Sequence, residues 1–249
     1  MDQGRARIVI EHPQPEIDNG RYPIKRVVGE RVTVTADIFT DGHDRVHAVV
    51  LYKGPGDREW NEAVMEPIGN DRWRAEFEAL DVGKYLYTVR GWVDHFATWQ
   101  AELRKRHEAG EELGVHLLTG AQHLQEAAPR CTKDDRHALE GLERILREGE
   151  DMDERVGVAL SKALADLMAR YPDKRFASTY PLELEVVVER PKALFSTWYE
   201  RFPRSCASKP GKHGSFADCL QILPEIARMG FDVWYLPPIH PIGITNRKG

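Results

Sequence analysis

The sequence predicts a multidomain fold: an immunoglobulin-like β-sandwich with an inserted α-helical bundle, followed by a βαβ unit. Three changes of hydrophobic periodicity support this prediction. Apolar and polar residues alternate through residues 1–93, apolar residues recur at helical spacing through 94–179, and alternation returns over 180–191. From residue 192 to 249, a strand-like segment, an amphipathic helix and a second apolar strand follow one another.

The sandwich prediction rests on short strands separated by turn signals. Asp-Gly, Gly-Pro-Gly and Gly-Asn-Asp sequences interrupt the first 93 residues at short intervals, which is typical of all-β domains. In the segment RVTVTADIF, polar threonine and aspartate side chains would point to one face of a strand. The opposite face would carry the apolar side chains of Val32, Val34, Ala36 and Ile38.

Helical signals begin at Asp94 and continue to residue 179. One helix is predicted to start at Thr132, whose hydroxyl can cap the backbone three residues on at Asp135. Another is predicted from about Met152 to Arg170, before a Tyr-Pro pair ends it. Several amphipathic helices in a row would pack as a small bundle.

The β pattern returns in LELEVVVER (182–190), where apolar residues alternate with glutamates. A single strand is not stable by itself, so this one is expected to pair with the strands of the first segment. That pairing would make residues 1–93 plus 180–191 one β-domain, with the helical block 94–179 inserted within it.

The last segment, 192–249, has the pattern of a βαβ unit. ALFSTWYERF (193–202) and DVWYLPPIHP (232–241) are strand-like, and they flank a helix with a capping glycine expected at Gly230. Strands joined through a helix run parallel. The apolar side of the helix would carry Phe216, Leu220, Leu223 and Ala227.

Composition indicates an ordinary globular chain. It has 249 residues, 41% of them hydrophobic, with a formal net charge of −5 and a pI near 6.1, so neither nucleic acid nor an anionic membrane surface is an expected partner. No secretory signal or stretch of ~18 apolar residues is evident. The three widely spaced cysteines argue against a disulfide framework, and the expected location is the cytoplasm.

Three motifs near the carboxyl end carry a family resemblance. FSTWYERFPRS (195–205), IARMGFDVWYLPPIHPIG (226–243) and RKG (247–249) resemble the opening of the catalytic barrel in the α-amylase superfamily. More narrowly, the chain is similar to bacterial maltosyltransferases that extend α-1,4-glucans from maltose 1-phosphate. The resemblance implies that residues 192–249 are the first βαβ elements of a TIM (β/α)8 barrel.

The resemblance also implies an activity: transfer of maltosyl from α-maltose 1-phosphate to the non-reducing end of an α-1,4-glucan, with release of phosphate and retention of configuration. It implies no organic cofactor and no metal, and a homodimer joined through the sandwich and the helical insert. The nucleophile and the acid/base of the superfamily lie on later barrel strands, so no catalytic residue is assigned and the chain alone is expected to be inactive. A stand-alone glucan-binding or dimerisation module, or the front of a related glycoside hydrolase, stays open as an alternative.

Lys248 is the one substrate-binding residue that the resemblance supplies. It matches the lysine of the family's Arg-Lys-Gly stretch, which implies contact with the donor maltosyl phosphate, and an ammonium group suits that role. Spacing alone would leave Lys248 an exposed loop lysine beside Arg247. His240, between two prolines, is expected to be structural.

Other constellations favour structural roles. The set His116, His123, Cys131 and His137 lacks the close helical spacing of metal ligands, so no metal site is predicted. Cys206 and Cys219 have no paired histidine, and KPGKHG (209–214) lacks the phosphate-loop pattern. Isolated tryptophans can stack on sugars, but core or interface positions are expected for Trp60, Trp73, Trp92 and Trp99.

Overall fold

A computed structural model describes residues 6–240 and 243–246 of the chain. Strands dominate its first third. They are β1 (Ile8–Gln14), β2 (Ile24–Val27), β3 (Arg31–Thr40), β4 (Val46–Lys53), β5 (Asn61–Val64), β6 (Glu66–Gly69), β7 (Arg72–Glu78) and β8 (Gly83–Val93). Two further strands, β9 (Ser178–Thr179) and β10 (Leu184–Glu189), follow a helical segment and join one sheet with β2, β8, β4 and β5.

The strands form two sheets that enclose one hydrophobic core. The first sheet has the order β1-β3-β7-β6 and the second the order β2-β10-β8-β4-β5, with β9 beside β8. Strand β3 buries one face completely and leaves the other face partly exposed, as its alternation predicts. Side chains of both sheets form a single cluster, which includes Val32, Val34, Phe77, Tyr87 and Val186.

Strand β10 confirms the expectation that the LELEVVVER segment pairs with earlier strands. It lies between β2 and β8, parallel to the former and antiparallel to the latter. Val186 is opposite Ile24 on one side and Tyr85 on the other. Alternate residues of β10 are buried, because its pleat turns them toward the first sheet.

Five helices separate β8 from β9: α1 (His95–Glu108), α2 (Gly114–Ala127), α3 (Lys133–Glu148), α4 (Met152–Ala159) and α5 (Lys162–Ala169). They share a second hydrophobic cluster, distinct from that of the sheets, in which Leu103, Leu117, Leu124, Leu139 and Leu146 are fully or almost fully buried. The predicted cap of α3 is confirmed, because the hydroxyl of Thr132 accepts a hydrogen bond from the backbone N–H of Asp135 at 3.4 Å.

The single helix predicted from Met152 to Arg170 is wrong. The structure has two short helices there, because Ser161 adopts an extended conformation (φ −66°, ψ 143°) that interrupts the helical path. Its hydroxyl accepts the backbone N–H of Leu164 at 3.2 Å and so caps the second helix. Serine competes in this way with helix continuation because its side chain can replace a backbone acceptor.

The last described segment contains β11 (Trp198–Glu200), α6 (Phe216–Arg228) and β12 (Val233–Tyr235). The two strands pair in parallel, which confirms the βαβ prediction. Strand β11 is much shorter than the predicted 193–202, because a 3-10 turn over Pro191–Ala193 precedes it and Phe202 leads into another such turn. Gly230 has a φ of 88° just after the helix, which fits its predicted capping role.

The apolar stripe predicted on α6 is exposed. Phe216, Leu220 and Leu223 are 54%, 67% and 41% exposed, and the helix instead buries Cys219 and Ile226. Several other large apolar side chains of this segment are exposed as well, among them Phe195, Trp198 and Ile239. Among the described helices, none combines the length and apolar character needed to cross a membrane.

Candidate functional site

The carboxyl ends of β11 and β12 are the place where a parallel sheet offers a ligand site. Glu200 and Tyr235 are register partners at this edge. The backbone N–H of Arg201 donates to the carbonyl oxygen of Tyr235 at 3.3 Å, which prolongs the pairing by one residue. The ring of Tyr235 is exposed here, and its centroid lies 6.2 Å from that of Trp198 at the start of β11. The carboxyl edge is therefore open.

The chemistry available at this edge is limited because it has few acidic residues. In the described segments 198–206 and 233–240, Glu200 is the only carboxylate. A retaining glycosyl transfer uses two carboxyl groups about 5–5.5 Å apart, one as nucleophile and one as acid and base. These two segments therefore do not supply such a pair of carboxyl groups.

The opposite, amino-terminal edge of the same strands is held by Asp232. Its carboxylate accepts the backbone N–H of Thr197 at 3.0 Å and lies 2.7 Å from the ammonium nitrogen of Lys192. The bond to Lys192 and the backbone donor of Thr197 lower the pKa of Asp232, so this carboxylate is ionised at neutral pH. Asp232 ties the segment entering β11 to the start of β12.

Two buried thiols lie close together near the start of α6. Cys206 ends a short 3-10 turn (Pro203–Cys206) and Cys219 lies in the first turn of α6. Burial, and then the neighbouring thiol of Cys206, raise the pKa of Cys219. A thiol with a raised pKa is protonated at neutral pH and is a weak nucleophile.

Lys248 and its neighbour Arg247 lie outside the described residues, so the role expected for Lys248 stays a prediction. His240 is described and is exposed at the end of the segment after β12. The glycine-containing loop 209–214 is also largely exposed, and the N–H of Gly214 is bonded to the carbonyl oxygen of Arg204 at 2.9 Å.

The remaining candidates from the sequence are a set of histidines with Cys131 and the isolated tryptophans. No group of three or more histidine, cysteine, aspartate or glutamate side chains within 6–240 and 243–246 could hold a metal ion. Trp92 and Trp99 are buried, and the indole of Trp73 donates to the carbonyl oxygen of Ile38 at 2.9 Å. The ring of Trp60 lies 4.4 Å from the ammonium nitrogen of Lys53.

Sequence reasoning missed the Asp232 cluster. An aspartate immediately before an apolar strand gives no signal of its own, because its partners Lys192 and Thr197 are 35 or more positions away along the chain. Only the parallel pairing of the two strands brings these three residues together.

Comparison with known proteins identifies the family. The family model described as alpha-1,4-glucan:maltose-1-phosphate maltosyltransferase, domain N/S, matches residues 6–190. Proteins named alpha-1,4-glucan:maltose-1-phosphate maltosyltransferase from Chlorobaculum tepidum, Methylacidiphilum infernorum and Myxococcus xanthus are 50%, 41% and 42% identical to the chain over 99%, 99% and 100% of its length. The chain spans 37–38% of the length of these relatives. It belongs to the alpha-1,4-glucan:maltose-1-phosphate maltosyltransferase family, whose N/S domain accounts for residues 6–190.

Proposed function

We propose that this chain is the amino-terminal part of an enzyme that transfers maltosyl from α-maltose 1-phosphate to the non-reducing end of an α-1,4-glucan. Phosphate is released and the configuration at the anomeric carbon is retained. The observation that carries the proposal is the match to relatives of that name across 98–100% of the chain. Retention requires two carboxyl groups acting in turn on the sugar, through a covalent glycosyl-enzyme.

In this proposal the chain contributes three parts. Residues 1–93 plus 180–191 form an immunoglobulin-like sandwich, 94–179 an inserted helical domain, and 192–249 the first elements of a (β/α)8 barrel. The shared core of the two sheets, the separate core of the helices and the parallel β11–β12 pair support this division. The exposed apolar stripe of α6 also supports it, because the outer helices of such a barrel pack against its strands and against one another.

Lys248 would contact the phosphate of the donor in the loop after β12. Its ammonium group offsets phosphate charge before and during departure of the leaving group. The nucleophile and the acid/base belong to later barrel strands of the enzyme, and the site needs no metal or organic cofactor, because phosphate is already a good leaving group.

The test is phosphate release from α-maltose 1-phosphate in the presence of glycogen. The product of the complete reading frame is compared with the 249-residue chain, and we expect release by the complete product alone. Maltose formation without growth of the glycogen would assign a hydrolase instead. No turnover of maltose 1-phosphate by the complete product would refute the transferase proposal and favour a glucan-binding module.

We also propose that the protein is a homodimer joined through the sandwich and the helical segment. Helix α2 exposes Val115 and Leu118, which are 75% and 44% exposed on neighbouring turns, and such apolar residues suit a protein interface. Sedimentation velocity should give a dimer mass that Val115→Asp reduces to that of a monomer. A monomeric unsubstituted protein at ~10 times its assay concentration would refute this proposal.

A further inference from the structure

A partly enclosed cavity lies where the second sheet meets the helical segment. Its volume is about 260 Å³, and its walls come from the ends of β4 and β8, the start of α1, the ends of α2 and α5 and the loop 171–176, together with Arg7 and Arg130. None of these elements belongs to β11, α6 or β12. The cavity is therefore separate from the carboxyl ends of β11 and β12.

Two histidines line this cavity with unused hydrogen-bonding capacity. His47 of β4 packs against the indole of Trp92, with ring centroids 4.6 Å apart, and His123 of α2 packs against Trp99 at 6.2 Å. Neither imidazole makes a hydrogen bond to any residue in the described part of the chain. Burial lowers the pKa of both histidines, so each is neutral at pH 7 and offers one donor and one acceptor.

Charged side chains complete the polar wall in equal numbers, the arginines Arg7, Arg130 and Arg175 and the carboxylates Asp94, Glu126 and Asp173. Asp94 uses one carboxylate oxygen to accept the N–H of Ala97 at 2.8 Å, and its other oxygen has no partner within 6–240. Arg130 donates to the carbonyl oxygens of Tyr171 and Glu126, at 3.2 and 2.8 Å, with one terminal nitrogen unused among described residues. The wall thus presents both donors and acceptors.

This mixture discriminates among ligand classes. A metal ion needs several converging anionic or imidazole ligands, and no such cluster is found in the described residues. A phosphate would meet three carboxylates as well as three arginines, so these side chains give the wall no excess positive charge to hold it. A sugar hydroxyl both donates and accepts, and the apolar side chains of Phe96 and Met168 in the same wall suit the C–H face of a pyranose.

We propose that this cavity binds a single pyranose ring, with His47, His123 and Asp94 hydrogen-bonding its hydroxyls. A volume of 260 Å³ lies just below the ~300–1,000 Å³ of sites for drug-sized ligands, which fits one ring rather than an oligosaccharide. The ring is either a free small sugar or the terminal unit of an α-glucan. The choice of α-glucan sugars as probes rests on the proposed function. The inference that the cavity suits a pyranose rests on its lining residues and not on that function.

Binding is tested on the 249-residue chain by NMR of the imidazole Cε1–H signals during titration with D-glucose, maltose or glycogen. We expect saturable shifts of the His47 and His123 signals, while those of the exposed His43 and His137 stay unchanged. His123→Gln should weaken binding about three- to tenfold, as loss of one neutral hydrogen bond does, and Asp94→Asn about tenfold or more, because a hydrogen bond to a carboxylate is stronger. His137→Gln is the matched control and should have no effect.

The two sources of the ring are separated by the probe that binds. Shifts with glucose or maltose but not with glycogen assign a free small sugar, and shifts with glycogen assign a glucan end. Absence of shifts with all three probes overturns the proposal, and so do shifts that survive in both cavity variants with unchanged affinity. Because binding is measured without maltose 1-phosphate or phosphate release, its failure leaves the transferase assay unaffected.

Discussion

Gly120 of α2 lies so close to Trp99 of α1 that a methyl group cannot be added without moving the indole. A Cβ atom at position 120 would lie 2.1 Å from Cζ2 and 2.5 Å from Cη2 of that ring. The ring has little room to move, because it is 5% exposed and packs against Phe96. Its indole nitrogen also donates to the carbonyl oxygen of His116 at 2.8 Å.

Two opposing effects determine the stability of Gly120→Ala. Overpacking of a buried contact costs ~1–3 kcal/mol, and the overlap with rigid ring atoms places this case at the upper end. Alanine gains about 1 kcal/mol over glycine in a helix interior. The expected net result is a loss of about 2 kcal/mol in the free energy of unfolding.

Gly141 of α3 provides the matched control. A Cβ there would meet no atom within 4 Å, and the residue is exposed, so Gly141→Ala should gain about 0.5–1 kcal/mol. Urea unfolding of both variants is followed by tryptophan fluorescence and by far-ultraviolet circular dichroism. The two substitutions should shift the unfolding midpoint in opposite directions. If Gly120→Ala stabilises the protein as much as Gly141→Ala does, the close packing of α1 against α2 is refuted.

Three further outcomes are expected. Burial lowers the folded-state pKa of His47 and His123 below ~6.5, so the unfolded chain binds more protons than the folded chain as the pH falls. The free energy of unfolding should therefore fall from pH 7 toward pH 5, by at most ~1.4 kcal/mol per pH unit for each histidine. Urea midpoints of the His47→Gln/His123→Gln protein should show a smaller dependence, and an unchanged slope would contradict this. Ser161→Ala removes the cap of α5 and should cost ~1 kcal/mol by thermal melting, with no change counting against the two-helix arrangement. Leu184→Ala, at a site 2% exposed in β10, should cost ~2–5 kcal/mol, and a loss below ~1 kcal/mol would argue against burial of this strand.

Local patterns in the sequence predict individual elements well and their partners less well. The faces of β3 follow from alternation, because the pleat repeats every two residues and one side of this strand is buried. The break at Ser161 is missed because apolar periodicity continues across it, although a serine hydroxyl can end one helix and cap the next. That β10 runs parallel to β2 depends on register between distant segments, which no local pattern encodes.

For the candidate sites, too, local motifs are predictable from the sequence and contacts between distant segments are not. Motifs in 195–205 and 226–243 carry the family resemblance, and the matches to maltosyltransferases over the whole chain confirm it. The cavity combines His47 and His123, which are 76 positions apart and belong to a strand and a helix. Nothing in the sequence around either histidine indicates more than a structural role, so the sequence alone does not predict that the two line one cavity.

The position of β10 in its sheet has a consequence for how the protein is made. About 90 residues separate the end of β8 from the start of β10, so at ~5–20 residues per second the ribosome needs roughly 5–20 s to supply the strand that joins β2 to β8. The helices contain mainly local contacts and fold far faster than that. During translation, the edge of β8 that β10 later covers therefore stays unpaired after the helices have formed, and it is open to pairing with other chains until residue 189 has emerged.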